Sequence, residues 1–223
     1  VLTAALEGTF IGCTFSSDGK HVLAYTGGPD FVTVVWQWAE ERPVGMHRSR
    51  SPLLRVSFNP WMGSLISLNS PMRLARLNDL GHFKEIEVTA LKRYGIAAID
   101  HVWLAPKVMV FAGCDSGGEG GLATAVFRVM EESAIKQTIT RERCEPTVLS
   151  ALSRGFAAGC AEGSVLIFQR PSGGDDSALS LASGESGALS LAHVLPGPKS
   201  MGPVRSLHVS DKDRTALILC NEL

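Results

Sequence analysis

Few residues of this 223-residue chain are arranged in a way that could do chemistry. The best candidate is Asp100 followed directly by His101, because a carboxylate beside an imidazole can move a proton. Both lie in a predicted strand at the inner edge of a sheet, where such a pair more often forms a structural hydrogen bond. We favour that interpretation, and the sequence therefore predicts that the protein is not an enzyme.

Other motifs for catalysis or cofactor binding are missing from the sequence. The glycine-rich run 117–121 is not followed by Lys and Ser or Thr and opens no predicted helix, so it is not a phosphate-binding loop. No serine lies in a Gly-x-Ser-x-Gly turn. The six histidines are scattered without the spacing of metal ligands, so we predict no metal and no cofactor.

The five cysteines are an odd number and form no Cys-x-x-Cys pair. Cys13, Cys114, Cys160 and Cys220 lie in or beside apolar segments, where a thiol behaves as a small hydrophobic side chain. We therefore predict buried free thiols in a reduced compartment, rather than a disulfide framework or a redox or metal site.

Two features of the sequence could contact a partner instead. His47, Arg48 and Arg50 form a basic cluster that could bind an acidic partner such as a tubulin tail, or could be a solvated loop. Trp61 lies in a predicted turn, where it could anchor an interface or fold back on its own sheet. These four residues are the predicted partner-binding residues.

Charge and hydropathy exclude several classes of function. Lys and Arg total 21 against 22 Asp and Glu, so there is no basic excess for binding nucleic acid or a membrane surface. No run of 18 apolar residues could span a bilayer. The chain begins with Val1 without a signal segment, and its last residues lie inside a predicted strand. We therefore expect a piece of a longer polypeptide.

The elements that would position these residues repeat along the chain. An apolar strand, a polar turn and a second apolar strand recur around Phe15, Phe58, Trp103, Leu152 and Val209. Successive copies are 43, 45, 49 and 57 residues apart. A period of roughly 40 to 50 residues built from short strands indicates the four-stranded blades of a β-propeller.

The predicted fold class is therefore all-β, part of a propeller of about four to five blades made of four-stranded antiparallel sheets. The composition of 171–192 is rich in Ser, Gly, Asp and Ala, which predicts a flexible loop. We place the blades near 9–51, 52–95, 96–143 and 144–200, with an incomplete blade at 201–223.

Local patterns refine the prediction within these repeats. Gly27–Asp30 is expected to break the chain before a strand at Phe31–Trp38. The alternating segment Phe83–Val88 predicts an outer strand, which we assign to the next blade. Gly113–Gly117 and Gly159–Gly163 share a Gly-Cys-x-x-Gly pattern and are predicted to be hairpin turns.

Three segments carry a resemblance to a known family. They read CTFSSDGKHVLAYTGGPDFVTVVWQW (Cys13–Trp38), VSFNPWMGSLISL (Val56–Leu68) and HVWLAPKVMVFAGCDSG (His101–Gly117). In their order and spacing the chain resembles the WD-repeat cilia- and flagella-associated proteins of the motile axoneme, although no copy contains the Trp-Asp dipeptide. The loops at Gly117–Gly121 and Pro171–Ala192 depart from the family pattern.

The resemblance implies a non-catalytic structural scaffold that anchors dynein or regulatory complexes on doublet microtubules. It implies a large complex with dynein-arm, regulatory-complex or tubulin subunits, in the cytoplasm, cytoskeleton and axoneme of a cilium or flagellum. No nucleic acid or membrane is expected as a partner. The alternatives are a general cytosolic WD-repeat adaptor or a microtubule-binding propeller. A propeller enzyme would need further ionisable groups around Asp100 and His101.

Overall fold

The chain folds into two compact units, Val1–Ala98 and Ile99–Leu223. The computed structural model describes residues 8–68, 72–86, 88, 98–116, 123–170, 188–198, 201–210 and 215–222. These described residues form β-strands and one short 3-10 helix. Every sheet formed by these residues is antiparallel, and within a sheet each strand pairs with the next one along the chain.

The first unit contains two four-stranded sheets. The 3-10 helix Trp38–Glu40 joins the third and fourth strands of the first sheet. The strands of the first sheet are β1 (Gly8–Phe15), β2 (His21–Pro29), β3 (Val32–Gln37) and β4 (Arg42–Arg48). The strands of the second sheet are β5 (Val56–Phe58), β6 (Leu65–Leu68), β7 (Arg73–Leu77) and β8 (Phe83–Ile86).

The second unit contains two more four-stranded sheets and a two-stranded one. The third sheet consists of β9 (Asp100–Ala105), β10 (Val108–Ser116), β11 (Ala123–Glu131) and β12 (Ala134–Glu142). The fourth consists of β13 (Pro146–Leu152), β14 (Gly155–Cys160), β15 (Val165–Gln169) and β16 (Ser190–Leu195). The last two strands are β17 (Met201–Val209) and β18 (Ala216–Glu222).

The central strands are apolar along most of their length because both of their faces are packed. In β3 the five residues Val32–Trp36 are all buried, and in β14 every residue is buried. The outer strand β12 alternates between exposed and half-buried residues, since only one of its faces packs. In this chain a continuous apolar run thus marks a central strand, and a strict alternation marks an outer strand.

Each unit has a hydrophobic core of its own. In the first unit, Leu23 and Val35 of the first sheet are buried in one cluster with Phe58 and Ile66 of the second. In the second unit the core is centred on the rings of Phe127, Phe156 and Phe168, from the third and fourth sheets. These cores place the hairpin turns at the edges of the sheets, where they are open to a partner.

The outer strand of the second sheet corrects one prediction. Phe83–Ile86 is not the outer strand of the following blade, because it pairs with β7, with Leu74 opposite Ile86 and Leu77 opposite Phe83. The alternating pattern identified an outer strand correctly. Alternation shows that one face of a strand is exposed, but it carries no information about the neighbour with which the strand pairs.

The break predicted at Gly27–Asp30 is also wrong. Strand β2 continues to Pro29, which lies opposite Gly8 of β1. A proline is tolerated there because β3 begins only at Val32, so no neighbour on that side needs the missing N–H. Phe31 lies outside the strand predicted for it, with a φ of 44°.

Two predicted turns and one predicted loop prove to be partly strand. Gly113–Ser116 belongs to β10 and pairs with β11, and Gly159 and Cys160 end β14, so only the later part of Gly159–Gly163 is a turn. Of the flexible loop predicted at 171–192, residues 171–187 lie outside the described residues. Its last three residues belong to the strand Ser190–Leu195, whose pairing with β15 outweighs their small, polar composition.

Candidate functional site

The hairpin turns of the first two sheets border one cavity of about 570 Å³, here termed the turn-end cavity. Asp18 comes from the turn between β1 and β2, and Arg42 from the start of β4. Ser64 lies in the turn before β6, and Asn78 and Asp79 lie in the turn between β7 and β8. The four turns β1–β2, β3–β4, β5–β6 and β7–β8 therefore lie around one concave surface.

The charged groups of the turn-end cavity favour a basic or polar ligand. Asp18 accepts hydrogen bonds from Ser16 Oγ at 2.6 Å and from the backbone N–H of Lys20 at 3.0 Å. The bond from Ser16 is the main reason that the pKa of Asp18 is lowered, so this carboxylate stays ionised. Arg42 is held by an ion pair with Glu40 at 2.6 Å, which offsets its positive charge.

Three large apolar side chains lie in the same turns and remain exposed. The exposed fractions are 48% for Trp38, 52% for Trp61 and 80% for Leu80. The indole N–H of Trp38 donates to the carbonyl of Gly19 in the neighbouring turn, which fixes the ring. The backbone N–H of Trp61 donates to Asn59 Oδ1 at 2.9 Å. Exposed tryptophans in turns around a cavity are typical of protein-binding surfaces.

The structure does not bring the four predicted partner-binding residues together. Trp61 lies in the turn between β5 and β6, whose Gly63 and Ser64 line the turn-end cavity. His47 and Arg48 close strand β4 at the end far from Arg42, which also lines that cavity. Arg50 follows in the connection to the second sheet and is exposed. The basic cluster and the tryptophan therefore lie at opposite ends of the first unit and cannot form one site.

Acidic neighbours already occupy part of the basic cluster. Arg48 Nη1 lies 3.0 Å from Asp30 Oδ1, and His47 Nε2 lies 3.7 Å from Glu85 Oε1. The His47 ring is half-buried with its centroid 5.6 Å from that of Phe83. Burial is the main reason that the pKa of His47 is lowered, although Glu85 opposes it, so this imidazole favours its neutral form.

Two exposed residues of these turns, Trp38 and Leu80, are not among the predicted partner-binding residues, and Leu80 lines the turn-end cavity. The sequence places Trp38 at the end of a strand, but it begins the 3-10 helix that connects β3 to β4. Leu80 lies in the turn Asn78–Gly81, closed by a hydrogen bond from the N–H of Gly81 to the Asn78 carbonyl at 2.9 Å. A large apolar residue inside an Asn- and Gly-containing turn was the available signal for Leu80.

The Asp100–His101 pair has a structural role in the second unit. Asp100 accepts hydrogen bonds from the backbone N–H of His101 at 2.7 Å and from that of Leu149 at 2.6 Å. Leu149 belongs to β13, so the buried carboxylate joins strand β9 to the adjoining sheet. The predicted structural hydrogen bonding of Asp100 is therefore present, with the backbone N–H groups of two strands as its donors.

The cysteines are not all buried, which corrects a prediction. Cys144 and Cys160 are buried and Cys220 is half-buried, but Cys13 and Cys114 are exposed. Cys13 lies in β1, whose residues are exposed or half-buried throughout, and Cys114 lies near the end of β10. An apolar neighbourhood in sequence does not ensure burial when the strand lacks a packed neighbour on one face.

A second cavity, of about 380 Å³, lies in the second unit between the fourth sheet and the last two strands. Its lining is mainly aliphatic, with Leu152, Ile167, Leu207 and Ile218 among its residues. His193 is a titratable residue at its edge. This cavity offers fewer polar groups to orient a ligand than the turn-end cavity does.

Comparison with known proteins identifies the fold. No protein-family model and no curated protein match the sequence. The β-propeller domain of Cps50 (Swd1) from Myceliophteria thermophila superposes with a TM-score of 0.73 at 12% identity, over 95% of this chain and 66% of that one. The WD40 domain of Toxoplasma gondii coronin gives 0.66 at 10% identity, over 100% of this chain and 55% of that one.

The protein is thus an all-β propeller of the WD40 type, with four four-stranded antiparallel sheets in the described part of the chain. This confirms the predicted fold class. The chain spans no more than about two thirds of either structure that it resembles. At such low identity the similarity establishes the fold alone, and it does not extend to the cilia- and flagella-associated family. No helix in the described residues is long and apolar enough to cross a membrane.

Proposed function

We propose that this chain is a non-catalytic scaffold that binds other proteins at the turn end of its first two sheets. The observation that carries the proposal is the turn-end cavity flanked by the exposed Trp38, Trp61 and Leu80. Rigid sheets hold these turns in place, so little conformational entropy is lost when a partner binds. A WD40 propeller is suited to such a role because it presents many turns on a fixed frame.

The chemistry of the cavity indicates the kind of segment that it binds. Asp18 and Asp79 contribute carboxylates, and the exposed tryptophans contribute apolar surface close by. A loop or peptide with an apolar side chain next to Lys or Arg would satisfy both features. His47, Arg48 and Arg50 stay candidates for a separate contact at the other end, where Arg50 is exposed.

We further propose that this scaffold acts in the axoneme of motile cilia or flagella, within a large complex containing dynein-arm, regulatory-complex or tubulin subunits. The support for this finer assignment is the resemblance of Cys13–Trp38, Val56–Leu68 and His101–Gly117 to the WD-repeat cilia- and flagella-associated proteins. The same segments supply β2 and β3, the hairpin β5–β6, and most of the hairpin β9–β10. The resemblance that supports the proposal therefore lies in strands of the propeller blades.

Cross-linking with mass spectrometry on isolated cilia, with the protein tagged, tests this assignment. We expect cross-links from Lys20, which lies in the turn between β1 and β2, to axonemal subunits. A tagged protein that is diffuse in the cytosol and missing from the axoneme would contradict the axonemal role. The general adaptor would then replace it as the proposed function.

Substitution of Trp61 tests the binding surface independently of location. We expect Trp61→Ala to weaken binding of the cross-linked partner by about 2 kcal/mol, roughly thirtyfold, because an exposed tryptophan at a cavity is a typical interface anchor. Leu54→Ala is the matched control, since Leu54 is 54% exposed but lies in the connection between β4 and β5, outside the turns that line the turn-end cavity. Equal affinities of the two variants in isothermal titration would show that the partner binds elsewhere.

A further inference from the structure

Two buried cysteines meet in the second unit although 15 residues separate them in sequence. Cys144 lies between β12 and β13, and Cys160 is the last residue of β14. Their Sγ atoms are 2.9 Å apart, and the residues are 3% and 0% exposed. The pairing of Pro146 with Cys160 across β13 and β14 brings the two segments side by side.

A carboxylate completes the cluster. Glu162 follows Cys160 in the turn before β15, and a carboxylate oxygen and the two sulfurs all lie within 4.8 Å of one another. Ser164 Oγ donates a hydrogen bond to Glu162 Oε1 at 2.7 Å, which helps to orient the carboxylate. Glu162 is exposed, so the two buried sulfurs lie next to a carboxylate that is in contact with solvent. Sulfur and oxygen donors arranged in this way are ligands of thiophilic divalent cations.

Backbone hydrogen bonds hold the cluster from both sides. The N–H of Ala161 donates to the carbonyl of Glu145 at 2.8 Å, which ties the Cys160 turn to the Cys144 segment. The N–H of Gly163 donates to the Cys160 carbonyl at 3.0 Å and closes the turn. The N–H of Cys160 donates to the Ser164 carbonyl at 2.9 Å. The positions of the donor groups are therefore set by the sheet rather than by flexible side chains alone.

We propose that Cys144, Cys160 and Glu162 bind one zinc-like divalent cation, with water as the fourth ligand. Zinc takes four ligands, with Zn–S distances of about 2.3 Å, so two sulfurs on one tetrahedral ion lie roughly 3.8 Å apart. The sulfurs, at 2.9 Å, need to separate by roughly 1 Å, which rotation of two small side chains accommodates. Each thiol releases its proton to solvent when the metal–sulfur bond forms.

The burial of the two sulfurs also favours a bound cation. Cys144 Sγ and Cys160 Sγ lie 2.9 Å apart in a site closed to water, so two thiolates there would repel each other strongly. A divalent cation bound between them removes this repulsion.

A disulfide between the same sulfurs is the competing chemistry, and it gives Glu162 no role. It also needs an oxidant, whereas metal binding needs only a thiophilic ion and proton release. The carboxylate oxygen within 4.8 Å of both sulfurs therefore favours the metal site. The sequence could not reveal it, since Cys144 and Cys160 lack the close spacing of a Cys-x-x-Cys motif.

Metal titration of the full 223-residue chain, purified under reducing conditions, tests the proposal. We expect one equivalent of Zn²⁺ to bind, measured by competition with a chromophoric chelator and by native mass spectrometry. Co²⁺ in its place should give the near-ultraviolet absorption of thiolate-to-cobalt charge transfer. Glu162→Gln should weaken Zn²⁺ binding tenfold or more, and this exposed substitution leaves the core intact.

Controls separate this site from the other thiols. Cys13→Ser should bind Zn²⁺ as the unmodified chain does, because Cys13 is exposed in the first unit, whereas Cys144→Ala with Cys160→Ala should abolish binding. Circular dichroism checks that each variant folds. If the double cysteine variant does not fold, the Zn²⁺ affinity of Glu162→Gln decides whether the site binds metal. Sub-stoichiometric binding, unchanged affinity in Glu162→Gln, or a Cys144–Cys160 disulfide in the reduced preparation would each overturn the proposal.

Discussion

At the scale of single residues, the buried Asp100 joins two strands that belong to different sheets. One carboxylate accepts two backbone N–H groups, one from its own strand and one from Leu149 in the adjoining sheet. Asp100 is only 3% exposed, so water cannot replace these bonds. A buried carboxylate is stable when its oxygens are hydrogen-bonded in this way, and the donors it satisfies would be costly to leave unpaired.

Asp100→Ala should therefore lower the free energy of unfolding by about 2 to 4 kcal/mol, because it leaves buried backbone donors without their acceptor. Asp100→Asn should have a smaller effect, since its amide oxygen can still accept one bond. Asp115→Ala is the matched control, because Asp115 is exposed in β10 and its loss should cost under about 0.5 kcal/mol. Urea unfolding measures the difference, and equal values for Asp100→Ala and Asp115→Ala would refute the structural role.

At the scale of elements, two glycines allow strand β4 to pack against the hairpin β7–β8. A Cβ on Gly45 would lie 2.5 Å from Leu77 Cδ1, and a Cβ on Gly81 would lie 1.9 Å from the carbonyl oxygen of Val44. Gly81 also has a φ of +79°, which side chains rarely adopt. The turn that contributes Asn78 and Asp79 to the turn-end cavity therefore depends on Gly81.

Three Gly→Ala substitutions separate steric overlap from backbone strain. Gly63→Ala should change stability little, because its Cβ would meet open space at an ordinary φ. Gly19→Ala should cost about 1 to 2 kcal/mol, since φ is +68° but the space is open. Gly81→Ala should cost more than either, because it combines both effects. Thermal unfolding ranks them, and a Gly81→Ala protein as stable as Gly19→Ala would contradict the close packing of β4.

At the scale of the whole molecule, each of the two compact units carries a hydrophobic core of its own. In the second unit three rings from two sheets form the centre of the core. Their centroids are separated by 5.4 Å between Phe127 and Phe156, 5.0 Å between Phe127 and Phe168, and 4.7 Å between Phe156 and Phe168. Each ring is at most 1% exposed, so the third and fourth sheets share one apolar centre.

Phe127→Ala should lower the free energy of unfolding by about 3 to 5 kcal/mol, because it leaves a cavity between two sheets. Hydrogen exchange should show lost protection in both β9–β12 and β13–β16, since both sheets pack on the ring. Phe15→Ala is the control, because Phe15 is 63% exposed and its removal opens no cavity. Loss of protection confined to β11 would show that the rings do not couple the two sheets.

The amino-acid sequence by itself determined the fold class and the succession of strands. The recurring pairs of apolar strands around Phe15, Phe58 and Trp103 all appear as hairpins in the structure. Such patterns can be read locally, because a strand's two faces alternate with a period of two residues and turns need particular residue types. Trp61 was likewise recognisable as a candidate from its turn alone.

Tertiary structure alone decided which residues meet. It assigned Phe83–Ile86 to the second sheet, continued β10 through Ser116, and left Cys13 exposed while burying Cys144 against Cys160. It also separated Trp61 from the basic cluster by the length of β4. Pairing, burial and the convergence of distant side chains depend on register and on packing between sheets, which no local pattern of residues specifies.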